Sequence, residues 1–113
     1  MNIQREFERR IKSAKERKGR DSENRAEEAL DWLFENGHIA TWWLPNYDED
    51  RREGTDKFVQ LLDGQEKRLQ VKSSRSGFDH AMKNYPYICC IIVQENENVE
   101  GLAWRILGVL NKN

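Results

Sequence analysis

Apolar residues recur at helical spacing from the start of the chain. Ile3, Phe7, Ile11 and Ala14 stand among charges and predict an amphipathic helix over residues 3–18. Gly19 is expected to end it, with Asp21 or Ser22 capping a second helix over about 22–36 and Gly37 suited to its C-terminal cap. In that second helix Ala26, Ala29, Leu30, Leu33 and Phe34 fall at i, i+3, i+4, i+7 and i+8, which is the spacing of one core-facing stripe.

From His38 onward the period shortens. Ile39 to Leu44 and Lys57 to Leu62 are rich in β-branched and aromatic residues, and Asp63-Gly64 is a tight-turn signal ahead of a third extended run, Arg68 to Ser73. Three strands are predicted, the last two as a hairpin, with Pro45 to Gly54 a polar loop between the first two. Residues 78–84 can form a short helix. Tyr87 to Val93 is continuously apolar, the pattern of a central strand buried on both faces. Val99, Leu102, Ala103, Ile106, Leu107 and Leu110 repeat as a helical stripe behind Asn98, a good cap, although Gly101 and Gly108 weaken a helix. A helix is the favoured reading of that last segment, with a strand over 103–109 as the alternative.

Composition sets the scale of this arrangement. A chain of 113 residues with 37% apolar content is enough for one compact α/β domain. We divide it into a basic amphipathic segment at 1–20 and a domain at 21–113. No run approaches the roughly 18 apolar residues of a membrane span, and the charged N-terminus is unlike a signal peptide. A soluble, cytoplasmic protein is expected. The only two cysteines, Cys89 and Cys90, are neighbours in an apolar run, so a strand would send them to opposite faces as reduced core residues.

The net charge of −1 hides an uneven distribution. Residues 1–20 carry eight basic and three acidic side chains, residues 21–50 carry nine acids against Arg25 alone, and residues 51–113 carry ten basic and eight acidic side chains. A basic arm can bind phosphates, and a solvated helix face reads the same way.

Chemistry is signalled by polar residues placed inside apolar elements. In Leu69-Gln70-Val71-Lys72 the period of two sends Gln70 and Lys72 to one face and Leu69 and Val71 to the other. Asp56 opens the preceding strand of the hairpin and can lie close to that pair. An ion such as Mg²⁺ prefers hard oxygen ligands and retains several waters; the Asp56 carboxylate, the Gln70 amide oxygen and the Val71 carbonyl are three such ligands. A lysine beside the ion, here Lys72, can hold an attacking water and stabilise charge on a phosphate. A further acid should come from the capped helix. Glu23 lies about 50° from the centre of the apolar stripe and Glu27 about 90°, so Glu23 is the first candidate and Glu27 the reserve.

Gly19, Glu23 and Ala26, then Leu30, Leu33 and Gly37, then Gly54-Thr55-Asp56, then Leu69-Gln70-Val71-Lys72-Ser73 together resemble the PD-(D/E)XK nuclease superfamily. The layout is similar to that of archaeal Holliday-junction resolvases over about residues 18–94. Thr55 stands where the superfamily name has proline, and Gln70 replaces the usual acid, as in the Q-x-K of Mrr-type restriction nucleases. The resemblance implies a restriction-endonuclease-like αβββαβ core preceded by an extra N-terminal helix. It also implies Mg²⁺- or Mn²⁺-dependent hydrolysis of DNA, with Glu23, Asp56, Gln70 and Lys72 catalytic and Glu23, Asp56, Gln70 and Val71 around the metal. A resolvase cuts two strands symmetrically, so a homodimer acting on branched DNA is expected. Arg51, Arg52, Arg75 and Lys83 are candidate phosphate contacts, each also readable as an ordinary surface charge.

Other features read as structural. Trp42 and Trp43 face opposite ways on a strand, so at least one belongs to the core, and His38 and His80 lack partners at zinc-ligand spacing. Two alternatives compete with the nuclease: a small α/β domain in which Asp56 and Lys72 form a plain ion pair, and a catalytically inactive nuclease-like module that binds DNA or a protein partner.

Overall fold

The computed structural model describes residues 14–45 and 55–112. The first helix, α1 (Ala14–Glu35), runs without a break through Gly19. This corrects the expected stop at Gly19. An interior glycine costs only about 1 kcal/mol relative to alanine, which neighbouring helix formers and the packing of the C-terminal half of α1 offset. Asp21 and Ser22 are therefore interior residues and not caps, and Ser22 is buried. Most of the helix expected over 3–18 lies outside the described residues; from Ala14 onward the backbone is helical.

The end of α1 follows the sequence signal. Gly37 takes φ +75°, His38 N–H donates to the Leu33 carbonyl at 2.8 Å and Gly37 N–H to that of Phe34 at 3.1 Å, the Schellman pattern. Of the predicted stripe, Ala26, Ala29, Leu30 and Leu33 are wholly buried, whereas Phe34 is half exposed. Phe34 sits at the margin of the stripe, about 80° around the helix from Ala26, beyond the reach of the sheet.

Four strands follow: β1 (Thr41–Trp43), β2 (Lys57–Gln60), β3 (Glu66–Lys72) and β4 (Cys89–Ile92), in the order β1-β2-β3-β4. The β1–β2 and β2–β3 pairs are antiparallel and β3–β4 is parallel. The β2–β3 turn is the predicted one, with Gly64 at φ +92° and the Asp63 carboxylate accepting the Gln65 N–H at 2.9 Å. Between β3 and β4 runs α2 (Arg75–Asn84), capped by Ser74, whose hydroxyl accepts the Gly77 N–H at 3.1 Å. The last segment is helix α3 (Val99–Leu110), with the Asn98 side chain accepting the Gly101 N–H at 3.0 Å. The described chain is thus α/β, with three helices on a four-stranded mixed sheet. None of these helices is long and apolar enough to cross a membrane.

Register assigns the two faces of the sheet. Trp42, Val59, Leu69, Val71 and Ile91 share the face covered by α1 and α3, where they join Leu30, Leu33, Leu102, Ile106 and Leu110 in the core. Trp43 and Phe58 stack on the opposite face at 5.6 Å, and Gln70, Lys72 and Cys90 follow on that face toward α2. Cys89 packs against the α1–α3 core and Cys90 lies on the other side, as alternation requires. Among the described strands β4 is an edge and not a central one, and Tyr87 is almost fully exposed outside it. Its continuous apolar run has another cause: α2 and α3 sandwich it from the two faces, so it is buried without a strand on its outer side. That outer side is partly covered by Arg105, whose guanidinium donates to the Ile92 carbonyl at 3.0 Å.

Candidate active site

Asp56 is held at three points. Its N–H donates to the Leu69 carbonyl at 2.9 Å, although Lys57 is the residue in register with Leu69, so both residues stand against one, as at a β-bulge. One residue earlier, the Thr55 hydroxyl accepts the Arg68 Nε–H at 2.9 Å. The carboxylate then reaches forward along β3, where Oδ2 accepts the Val71 N–H at 2.7 Å. Asp56 therefore brackets Gln70, with its main chain bonded to the residue before and its side chain to the residue after. A strand residue directs its N–H and C=O to the same side, so the Val71 carbonyl also points toward the Asp56 side of β3.

Burial pushes the Asp56 carboxyl above its ordinary value, an effect that the Val71 N–H and the charges of Lys57 and Lys72 only partly offset. A carboxylate in that condition gains from any further positive charge beside its second oxygen.

Gln70 is 3% exposed, and its Oε1 has no hydrogen-bond partner among the described residues. Leaving such an oxygen unsatisfied costs about 1–3 kcal/mol, a cost that a cation ligated there would remove. Cys90 is its register neighbour on β4, and burial raises that thiol to about 11. Cys90 is thus a neutral thiol at physiological pH, neither a thiolate ligand nor a nucleophile.

Lys72 stands two residues on from Gln70, half-buried, on the same face. The first turn of α2 lies against its stem: a Cβ built on Gly77 would stand 3.4 Å from Lys72 Cδ. The tighter approach of that Cβ is to the capping Ser74 hydroxyl, at 3.2 Å. Ser74, two residues beyond Lys72, spends its hydroxyl on capping α2.

Glu23 is half-buried in the first half of α1, one turn or about 6 Å ahead of Glu27. Two contacts moor the middle of α1. Glu27 Oε2 is 3.3 Å from Lys57 Nζ, and Arg25 donates to the Glu97 carbonyl at 3.1 Å. Sequence reasoning missed Lys57 altogether, yet a signal was present: in Lys57-Phe58-Val59 the period of two puts Lys57 on the core face with Val59.

Arg51 and Arg52 lie outside the described residues. Arg75 opens α2 three residues after Lys72; it pairs with Asp79 at 3.1 Å and lies over the Phe78 ring at 5.6 Å. Lys83 is exposed two turns further along α2, about 12 Å from Arg75 along the axis, so the two do not form one cluster. Arg68, which buttresses Thr55, was not anticipated.

The donor set around Gln70 is therefore one carboxylate, one amide oxygen and one backbone carbonyl, whereas α1, which carries Glu23, covers the opposite face of the sheet. Among the described residues no three of His, Cys, Asp and Glu converge as a metal-holding group. Hard oxygen donors with few charges suit a divalent ion that keeps several waters, and they do not suit zinc. Compared with known proteins, the chain matches no family model, no curated protein and no solved structure.

Proposed function

We propose that the chain is a divalent-cation-dependent DNA endonuclease of PD-(D/E)XK type, with Asp56, Gln70 and Lys72 at its centre and Glu23 as the acid from α1. The observation that carries this reading is the buried Gln70 Oε1, unpartnered among the described residues, bracketed by Asp56 and followed on the same face by Lys72. Mg²⁺ or Mn²⁺ bound there would supply Lewis acidity and an acidified water. Asp56 keeps one oxygen on the Val71 N–H and offers the other to the cation. Gln70 and the Val71 carbonyl complete the protein ligands. Lys72 holds the attacking water or the phosphate oxygen on which charge develops, a contribution of about 10² to 10⁴ in rate. Arg51, Arg52, Arg75 and Lys83 are the phosphate contacts of this reading, and a homodimer acting on branched DNA is its oligomeric form.

A second reading has its own support. Gln70 is an amide where the usual residue is an acid, which leaves one negative charge fewer for a cation and favours an inactive nuclease-like module that binds DNA or a protein partner. Cleavage assays with purified protein on four-way junction, duplex and single-stranded DNA, each with Mg²⁺ and with Mn²⁺, separate the two. Cutting that is lost in Asp56→Ala and Lys72→Ala supports the nuclease. Binding without cutting on every substrate supports the inactive module.

A further inference from the structure

Beside Asp56 the chain buries a second charge that the proposed chemistry does not use. Lys57 is 2% exposed, on the sheet face covered by α1, and its ammonium is 3.3 Å from Glu27 Oε2. The Glu27 side chain keeps a solvent-facing part, with 19% relative exposure against 3% for the Lys57 side chain. Lys57 adjoins Asp56 in the bulge against Leu69. A hydrophobic residue at 57 would complete that core more cheaply than a buried ion pair, because desolvating two charges often cancels their attraction.

Resting on the reading of Asp56 and Gln70 as a cation site, we propose that Lys57 and Glu27 are positioning residues that set the charge a divalent cation meets there, Lys57 lowering its affinity and Glu27 restoring it. The Lys57 charge acts on the Asp56 carboxylate from the next residue of the chain. Once a cation arrives, the same charge opposes it, and the paired Glu27 limits that opposition. The consequence is a site loaded reversibly, not one that traps its ion.

The pair also moors α1 to β2, so a purely mechanical role must be separated from an electrostatic one. A mechanical strut predicts that losing either partner weakens cation binding. The electrostatic role predicts opposite signs. Calorimetric titration of the full chain with MnCl₂, without DNA, reads this directly, with circular-dichroism melts to establish that each variant is folded. Lys57→Met should bind Mn²⁺ about threefold or more tightly than wild type, and Glu27→Gln about threefold or more weakly. The double variant should lie within about twofold of wild type. Should Glu27→Gln fail to fold around an unpaired buried lysine, Lys57→Met and the double variant still decide the matter. Binding by Lys57→Met equal to or weaker than wild type overturns the proposal while the cation site stands. Wild type that binds no Mn²⁺ removes the site itself, and this proposal with it.

Discussion

The carboxylate of Asp56 accepts the backbone N–H of Val71 at 2.7 Å, across fifteen residues of chain. β2 begins only at Lys57, and Asp56 stands beyond it, so a side-chain oxygen satisfies the β3 N–H that a longer strand would have paired. This locks one carboxylate oxygen on the Val71 N–H. A carboxylate so immobilised and under-compensated gains from a positive charge beside it.

Replacing Asp56 by asparagine should stabilise the metal-free protein. Burial raises the folded-state pKa of this acid, so the fold binds its proton more tightly than the unfolded chain does. Stability is then lost as pH rises from the unfolded value through the raised folded value, and at neutral pH the ionised group is a net penalty. Asparagine keeps an oxygen for the Val71 N–H and carries no charge. Thermal melts at pH 7 in a chelator should show Asp56→Asn a few °C above wild type, and Mn²⁺ titration should show no binding. A lower melting temperature would mean that the carboxylate is better compensated than its burial implies.

Gln70→Glu should act in the opposite sense on the two properties. A second buried carboxylate beside Asp56 adds charge for a cation and repulsion without one. Mn²⁺ should bind roughly tenfold more tightly, and the metal-free melting temperature should drop. Weaker Mn²⁺ binding in this variant would remove Gln70 from the ligand set.

Lys72→Ala separates chemistry from loading. In the proposed nuclease Lys72 would donate to water or phosphate, and it carries no ligand oxygen, so Mn²⁺ affinity should stay near the wild-type value or rise as a positive charge disappears. Cleavage should fall by about 10² to 10⁴. Quantified cutting of four-way junction DNA beside Mn²⁺ calorimetry on the same preparation makes the comparison, and undiminished cutting would rule out the role assigned to this lysine.

Gly37→Ala tests the fold rather than the site. The Cβ would meet nothing within 4 Å, so crowding plays no part, but φ +75° is unfavourable for any residue with a side chain. A loss of about 1 kcal/mol is expected, read as a lower denaturation midpoint with an unchanged slope. A neutral result would show that the α1 terminus relaxes out of its Schellman geometry at no cost.

Local patterns carried much of this structure. The buried stripe of Ala26, Ala29, Leu30 and Leu33, the Gly37 cap, the Asp63-Gly64 hairpin, the Asn98 cap and the shared face of Gln70 and Lys72 all follow from periods of 3.6 and 2 and from turn chemistry within a few residues. These are properties of adjacent sequence, and adjacent sequence states them. The continuity of α1 through Gly19 does not follow, because a glycine costs too little to stop a helix whose other half is anchored. Nor does the exposure of Phe34 and Tyr87, since periodicity says which way a side chain points and not how far the covering element extends.

The candidate site divides along the same line. Sequence alone put Asp56 near Gln70 and Lys72, because a tight turn brings the strands of a hairpin together wherever they lie. Only the tertiary structure decided that Asp56 stands beside Lys57 in a bulge against Leu69, spends one oxygen on Val71 and brackets a Gln70 Oε1 unpaired among the described residues. It also decided that Lys57 is buried against Glu27 on the opposite face. Each of these depends on a contact between segments distant in the chain, and the energy of a buried polar group is set by the neighbour that arrives there, which no local period encodes.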